Sequence, residues 1–400
     1  MASSVSSQQD HQVLVEANSS ARILSLNRPK QLNALSFQMI SRLLELFLAY
    51  EEDPNVKLGK GRAFCAGGDV AALVRDIRGD DWRAGAKFFL KEFTLNYLMA
   101  AYSKPQVSIL NGIVMGGGAG ASVHGRFRVA TENSVFAMPE TALGLFPDVG
   151  ASYFLSRLPG FFVAPRILPD AFYSCKEKRK GREYVGLTGS RLDGAEMLAC
   201  GLATHFVPSA KLAMLEAALC IVDSSDPVII SSIIDQYCEQ PSLKEQSVYK
   251  RLDVIDRCFS QKTVEEIISA LERELVHKMD VWISTTIQTL KKASPTSLKI
   301  SLRSIREGRL QGVGQCLVRE YRMVCHVMRG EVSKDFFEGC RAILLDKDKN
   351  PKVWEPSQLE LVTDSRVDRY FSKMNTEEWE DLKLPTRSKH KLPLYAIAKL

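Results

Sequence analysis

The chain has 400 residues, a net charge of +6, 45% hydrophobic and 25% charged residues, which are ordinary globular values for a chain long enough to bury a large core. No Lys/Arg block is interleaved with aromatics as in a nucleic-acid groove, and no apolar run approaches the ~18 residues of a membrane span. Nine scattered cysteines without a CxxC pair argue against a disulfide framework and a Cys-rich zinc site, and for a reducing compartment.

In chain order, 13–27 reads as a β-hairpin: Val13 and Val15, then Asn18-Ser19-Ser20, then Ile23, Leu24 and Leu26. Ser36 is placed to cap a helix with Phe37, Ile40, Leu43, Leu44 and Phe47 on one face. Gly67-Gly68-Asp69 is a tight turn with Asp69 as N-cap, and also plain βα turn chemistry. A helix over 82–101 carries Glu92. An apolar strand over 107–115 is interrupted by Asn111-Gly112, and Gly116-Gly117-Gly118 then opens a short helix. Further strands cover 127–130 and 134–137. Alternating strands and helices predict an α/β core with a largely parallel sheet. From about 185 the chain turns helical, with a Thr263-x-x-Glu266 capping box and a Ser294-Pro295 helix start. After Pro351 the periodicity is weak, which predicts a loosely docked tail.

The glycine run has three readings. Gly116-x-Gly118-x-x-Ala121 satisfies a dinucleotide fingerprint, with Glu140 at about the expected 20 residues beyond, but such a strand is not usually broken by Asn-Gly. Gly120-Ala121-Ser122-Val123-His124 misses the last glycine of a serine nucleophile elbow. The third is an oxyanion hole: a backbone N–H at a helix N-terminus, paired with the N–H of Gly68 from the other glycine turn, would polarise a thioester carbonyl.

Gly61-Arg62-Ala63-Phe64-Cys65-Ala66-Gly67-Gly68-Asp69, taken with Asn111-Gly112-x3-Gly116-Gly117-Gly118, resembles the enoyl-CoA hydratase/isomerase (crotonase) superfamily. Ser122-Val123-His124-Gly125, Met138-Pro139-Glu140-Thr141, Phe146-Pro147-Asp148-Val149-Gly150 and Phe337-Glu338-Gly339-Cys340-Arg341-Ala342 are similar to the branch that hydrolyses 3-hydroxyisobutyryl-CoA in valine breakdown. The resemblance implies an α/β fold, a crotonase-like spiral of ββα units with a helical C-terminal region used in assembly. The implied division is a flexible 1–12, a catalytic core over 13–260, helices over 261–356 and a tail over 357–400. It implies Gly68 and Gly117 as oxyanion donors, Glu140 as the principal catalytic carboxylate, Asp148 as the second acid, and Glu92 lining the acyl pocket and holding a substrate hydroxyl. It implies no metal and no cofactor beyond the CoA carried by the substrate. Arg341 and Lys347 are candidates to meet CoA phosphates, with a solvated face as the plainer reading.

Hydratases of the superfamily place a second glutamate where this chain has Gly120, so the resemblance implies hydrolysis rather than hydration. Glu140 either attacks the carbonyl or activates water, and a neighbouring acid would raise one pKa toward neutrality. The alternatives kept beside hydrolysis are hydration or isomerisation, and non-catalytic acyl-CoA binding. Ala398-Lys399-Leu400 has the form of a peroxisomal address, implying an import receptor as partner and the peroxisome as location. A homo-oligomer is a further expectation; nucleic acid and membrane are not expected partners. The chain departs from the family in two places. The segment 56–61 is about five residues short for its strand, which predicts a lost central strand or its replacement by neighbouring residues. The stretch 163–182 is an insertion without periodicity.

Overall fold

The computed structural model describes residues 12–55, 58–62, 65–77, 81–158, 183–278, 280–374 and 379–386. The 163–182 insertion and the Ala398-Lys399-Leu400 ending lie outside the described residues.

Val13–Asn18 (β1) and Ala21–Leu26 (β2) pair antiparallel, with Val13 opposite Leu26. Phe37–Glu52 (α1) follows, its Met39 amide capped by Ser36 Oγ at 3.1 Å. Leu58–Arg62 (β3) then runs parallel between β2 and Gln106–Leu110 (β4). Phe127–Ala130 (β6) and His205–Phe206 (β9) complete a six-stranded sheet of order β1-β2-β3-β4-β6-β9. The short 56–61 segment therefore does not delete the central strand. Lys60, Gly61 and Arg62, read from sequence as the approach to a turn, supply the ladder. An empty place between β2 and β4 would strand two rows of buried backbone groups, and any residue's backbone can fill it.

A second sheet holds Ile113–Met115 (β5), Val135–Ala137 (β7) and Leu192–Asp193 (β8). This corrects the reading of 107–115 as one interrupted strand. At Gly112 (φ +128°) the chain leaves the large sheet and enters the small one. Both halves are apolar because both are buried, and apolarity does not reveal a change of sheet. After β5 comes the helix Gly117–Val123, and after β6 comes β7. A strand in each sheet followed by a helix is the repeating unit, and each repeat winds back beside the last.

Strand β4 shows how both faces are covered. Leu110 faces the main core, while Val107 and Ile109 join Phe127 and Val129 under Leu212, Leu215, Leu219, Ile230 and Ile234 of two later helices. Val70–Asp76 (α2), capped by Asp69, and Trp82–Ala100 (α3) lie on the main-core side. The C-terminal helices form as their caps direct: Thr263 and Glu266 close a capping box, and Ser294 caps Pro295–Gly308. Among the described residues, no helix is long and apolar enough to cross a membrane.

The described part of the tail is not loosely docked. Asp364–Phe371 packs on Val313–Arg329 and buries Val367 and Tyr370, and beyond it Leu382 is buried too. Arg322 donates two hydrogen bonds to Asp381, at 2.8 and 2.7 Å. Its anchors are few and separated by polar residues, so periodicity was too sparse to show them. Replacing the buried ring in Tyr370→Ala should lower unfolding stability by about 3 kcal/mol in a denaturant titration, as for buried aromatics generally. A loss under about 0.5 kcal/mol, the surface range, would return the tail to loose docking.

Candidate active site

Two glycine turns are stitched together by backbone hydrogen bonds. Cys65 N donates to Ile113 O at 2.8 Å, and Met115 N donates to Cys65 O at 3.2 Å. On the other side Leu35 N donates to Gly67 O at 2.8 Å, and Asp69 N donates to Leu35 O at 2.9 Å. In such a parallel bridge the N–H of the middle residue, Gly68, points away from Leu35. Its nitrogen lies close to Gly117, the first residue of the helix Gly117–Val123 (α4), whose own N–H has no partner within the helix. A Cβ at Gly117 would lie 2.9 Å from Gly68 N and 2.5 Å from Glu92 Oε1, so only glycine lets these groups meet. The structure thus brings Gly68 and Gly117 together.

Three carboxylates gather at the same end of α4. Glu92 reaches it from the middle of α3. Glu140 opens a short turn of helix after β7, and its Oε1 lies 2.8 Å from where a Cβ on Gly116 would be. Asp148 follows on the loop 144–150. All three are buried, at 2%, 5% and 4% exposure. Glu92 Oε1 and Glu140 Oε2 have no hydrogen-bond partner among the described residues. Burial pushes Glu92 up to about 8, and burial with the charge of Glu92 pushes Glu140 up to about 8. Asp148 is raised by burial first and then by Glu92, Glu140 and Glu320. The expected acid pair is therefore part of a larger group, in which the charges cannot all be present together.

Glu320 is the member that sequence reasoning missed. It is wholly buried on the helix Val313–Arg329 and accepts from Gly150 N at 2.6 Å, Ser152 N at 3.0 Å and Ser152 Oγ at 2.5 Å. Arg319 donates to the same Ser152 Oγ at 2.9 Å. These bonds hold a strained loop, with Val149 at φ +53° and Gly150 at φ +84°. His124 Nε2 donates to Val149 O at 2.7 Å from the opposite side. The signal was present: Glu320 shares a helical stripe with Cys316, Leu317, Val324 and Val327.

Other candidates are settled by their contacts. Ser122 is fully buried and donates to Gly118 O at 2.7 Å, so it is no exposed nucleophile. The strand before the glycine run belongs to the small sheet, not to a βαβ dinucleotide unit. Arg341 is held by Glu338, Asp346 and Asp348, all at 2.7–2.8 Å, rather than offered to a phosphate. At Gly120 a Cβ would lie 2.6 Å from Val149 Cβ and 2.9 Å from Asn96 Nδ2. No side chain fits there, glutamate least of all.

Two N–H donors at a helix N-terminus, ringed by buried carboxylates, form a site suited to a thioester carbonyl. Residues 21–371 match the model of the enoyl-CoA hydratase/isomerase family, and the chain belongs to that family. It is 70% identical to 3-hydroxyisobutyryl-CoA hydrolase 1 of Arabidopsis thaliana over 97% of this chain and 98% of that one. It is 68% identical to the probable 3-hydroxyisobutyryl-CoA hydrolase 3 of the same plant, over 94% and 96%. Among solved structures, a carnitinyl-CoA dehydratase from Mycobacterium thermoresistibile superposes with a TM-score of 0.80 at 31% identity, covering 94% of this chain and all of that one. The architecture is thus the crotonase fold, with a helical C-terminal region.

Two outcomes test the electrostatics. Glu140 holds its proton in the folded state up to about 8, whereas the unfolded chain releases it near 4.5. Stability from this group is therefore full below 4.5 and is lost as pH rises through 8. Thermal melts of Glu140→Gln should match the parent at about pH 5 and exceed it by a growing margin toward about pH 9. For Glu320→Ala, stranding the Gly150 and Ser152 amides should lower unfolding stability by about 3 kcal/mol in a denaturant titration.

Proposed function

We propose that this chain hydrolyses the thioester of 3-hydroxyisobutyryl-CoA, releasing 3-hydroxyisobutyrate and CoA, with the N–H groups of Gly68 and Gly117 polarising the carbonyl and Glu140 driving the attack. The observation that carries the reading is the closed position at Gly120 beside three buried carboxylates. Hydration across a double bond would need two carboxylates managing one water from both sides of α4, and Val149 occupies the place of the second. Thioester cleavage needs only an oxyanion hole and one carboxylate with a pKa near neutrality.

In the reaction, a new C–O bond forms at the carbonyl carbon and the C–S bond breaks. Glu140 does this as general base, taking a proton from water and passing it to the departing CoA sulfur, or as nucleophile through an anhydride that water then opens. Either role needs its ionised form, so the rate should climb with pH toward about 8 and level off above it. Burial first, and then the charge of Glu92, keep that pKa high. CoA arrives as part of the substrate, and no other cofactor is required by this chemistry. Delivery to the peroxisome through Ala398-Lys399-Leu400, and a homo-oligomeric state, belong to the same proposal.

The test is free-thiol release from 3-hydroxyisobutyryl-CoA. Glu140→Ala should lower kcat by about 100-fold or more, the range for a lost acid–base group. Release that survives the substitution removes Glu140 from the mechanism. Hydration of crotonyl-CoA at a rival rate would favour the hydratase reading instead.

A further inference from the structure

Asn96 is a buried polar side chain that the chemistry above leaves unused. It follows Glu92 by four residues, about 6 Å along α3, and lies on the same face. It is 1% exposed, and its amide oxygen has no hydrogen-bond partner among the described residues. A buried amide is normally satisfied, because leaving it unpaired forfeits its hydration for nothing.

Its surroundings place it relative to the reacting carbonyl. Glu92 lies over Gly117, and one turn further along both helices Asn96 lies over Gly120. Val149, next to Asp148, closes the far side. The row runs from the oxyanion donors at Gly68 and Gly117, past Glu92, to the Asn96 amide. An acyl chain whose carbonyl oxygen sits on the two donors, and that follows α4 from Gly117 toward Gly120, would bring its β-carbon substituent level with Asn96.

We propose that Asn96 is a specificity-determining residue that receives the β-hydroxyl of the acyl group, its amide oxygen accepting the hydroxyl proton. This rests on the thioesterase reading and names the group that selects its substrate. It leaves Glu92 beside the oxyanion donors, where it acts on Glu140 and Asp148, instead of holding the hydroxyl. A site whose buried polar group is paired only by the substrate's hydroxyl discriminates strongly against the analogue lacking it.

The experiment compares 3-hydroxyisobutyryl-CoA with isobutyryl-CoA by thiol release, for the parent chain and for Asn96→Leu, which keeps the volume and removes the amide. The parent should prefer the hydroxylated ester by about tenfold or more in kcat/KM. Asn96→Leu should lose about tenfold or more on that ester, stay within about twofold on isobutyryl-CoA, and melt no lower than the parent, since the amide oxygen accepts no hydrogen bond among the described residues. An equal loss on both esters, or a lowered melting point with the preference intact, would make Asn96 structural and overturn the inference while leaving the thioesterase standing. A parent that cleaves both esters equally overturns the inference alone. A parent that cleaves neither overturns the thioesterase reading and the inference with it.

Discussion

Everything in the site depends on two backbone segments approaching more closely than side chains allow. The turn at Gly68 and the N-terminus of α4 at Gly117 meet with no Cβ between them, and Glu92 fills the remaining space. That approach is set by hydrogen bonds on both flanks, from Leu35 on one side and from Ile113 and Met115 on the other. Because these bonds use the neighbours' groups, they leave the Gly68 N–H, close to Gly117, unused. Preorganised donors of this kind need no rearrangement when charge develops on a carbonyl oxygen.

The carboxylates follow from the same closeness. Packing α3, the Glu140 turn and the Asp148 loop against one helix end buries three acids with little to pair them. Their neutral forms are favoured, which weakens the fold at high pH but holds Glu140 where proton transfer near neutrality is efficient. The opposing stabilisation comes from outside the site. Glu320 and Arg319 reach in from the C-terminal helices to secure Gly150 and Ser152, so the helical region is structurally part of the candidate site. Strain at Val149 persists because contacts from Glu320 and His124 over-determine it.

The sequence by itself determined the local chemistry. Ser36, Asp69, Thr263 and Ser294 cap the helices they precede, because capping depends on residues three positions apart. The two glycine turns were legible as turn chemistry, and Glu92, Glu140 and Asp148 through the resemblance carried by the segments around them. Tertiary structure alone decided the rest. It recruited Lys60 to Arg62 into a central strand, since unpaired neighbours on both sides demanded one. It split 107–115 between two sheets at Gly112, a change of direction that burial pattern does not encode. It docked the tail through Val367, Tyr370 and Asp381, and it brought Glu320 to a loop 168–170 positions away. It also turned Gly120 from a missing glutamate into a closed position. Spacing along the chain reports only on neighbours within a helical turn or a strand pair, whereas these contacts depend on which faces meet once both sheets and the C-terminal helices are assembled.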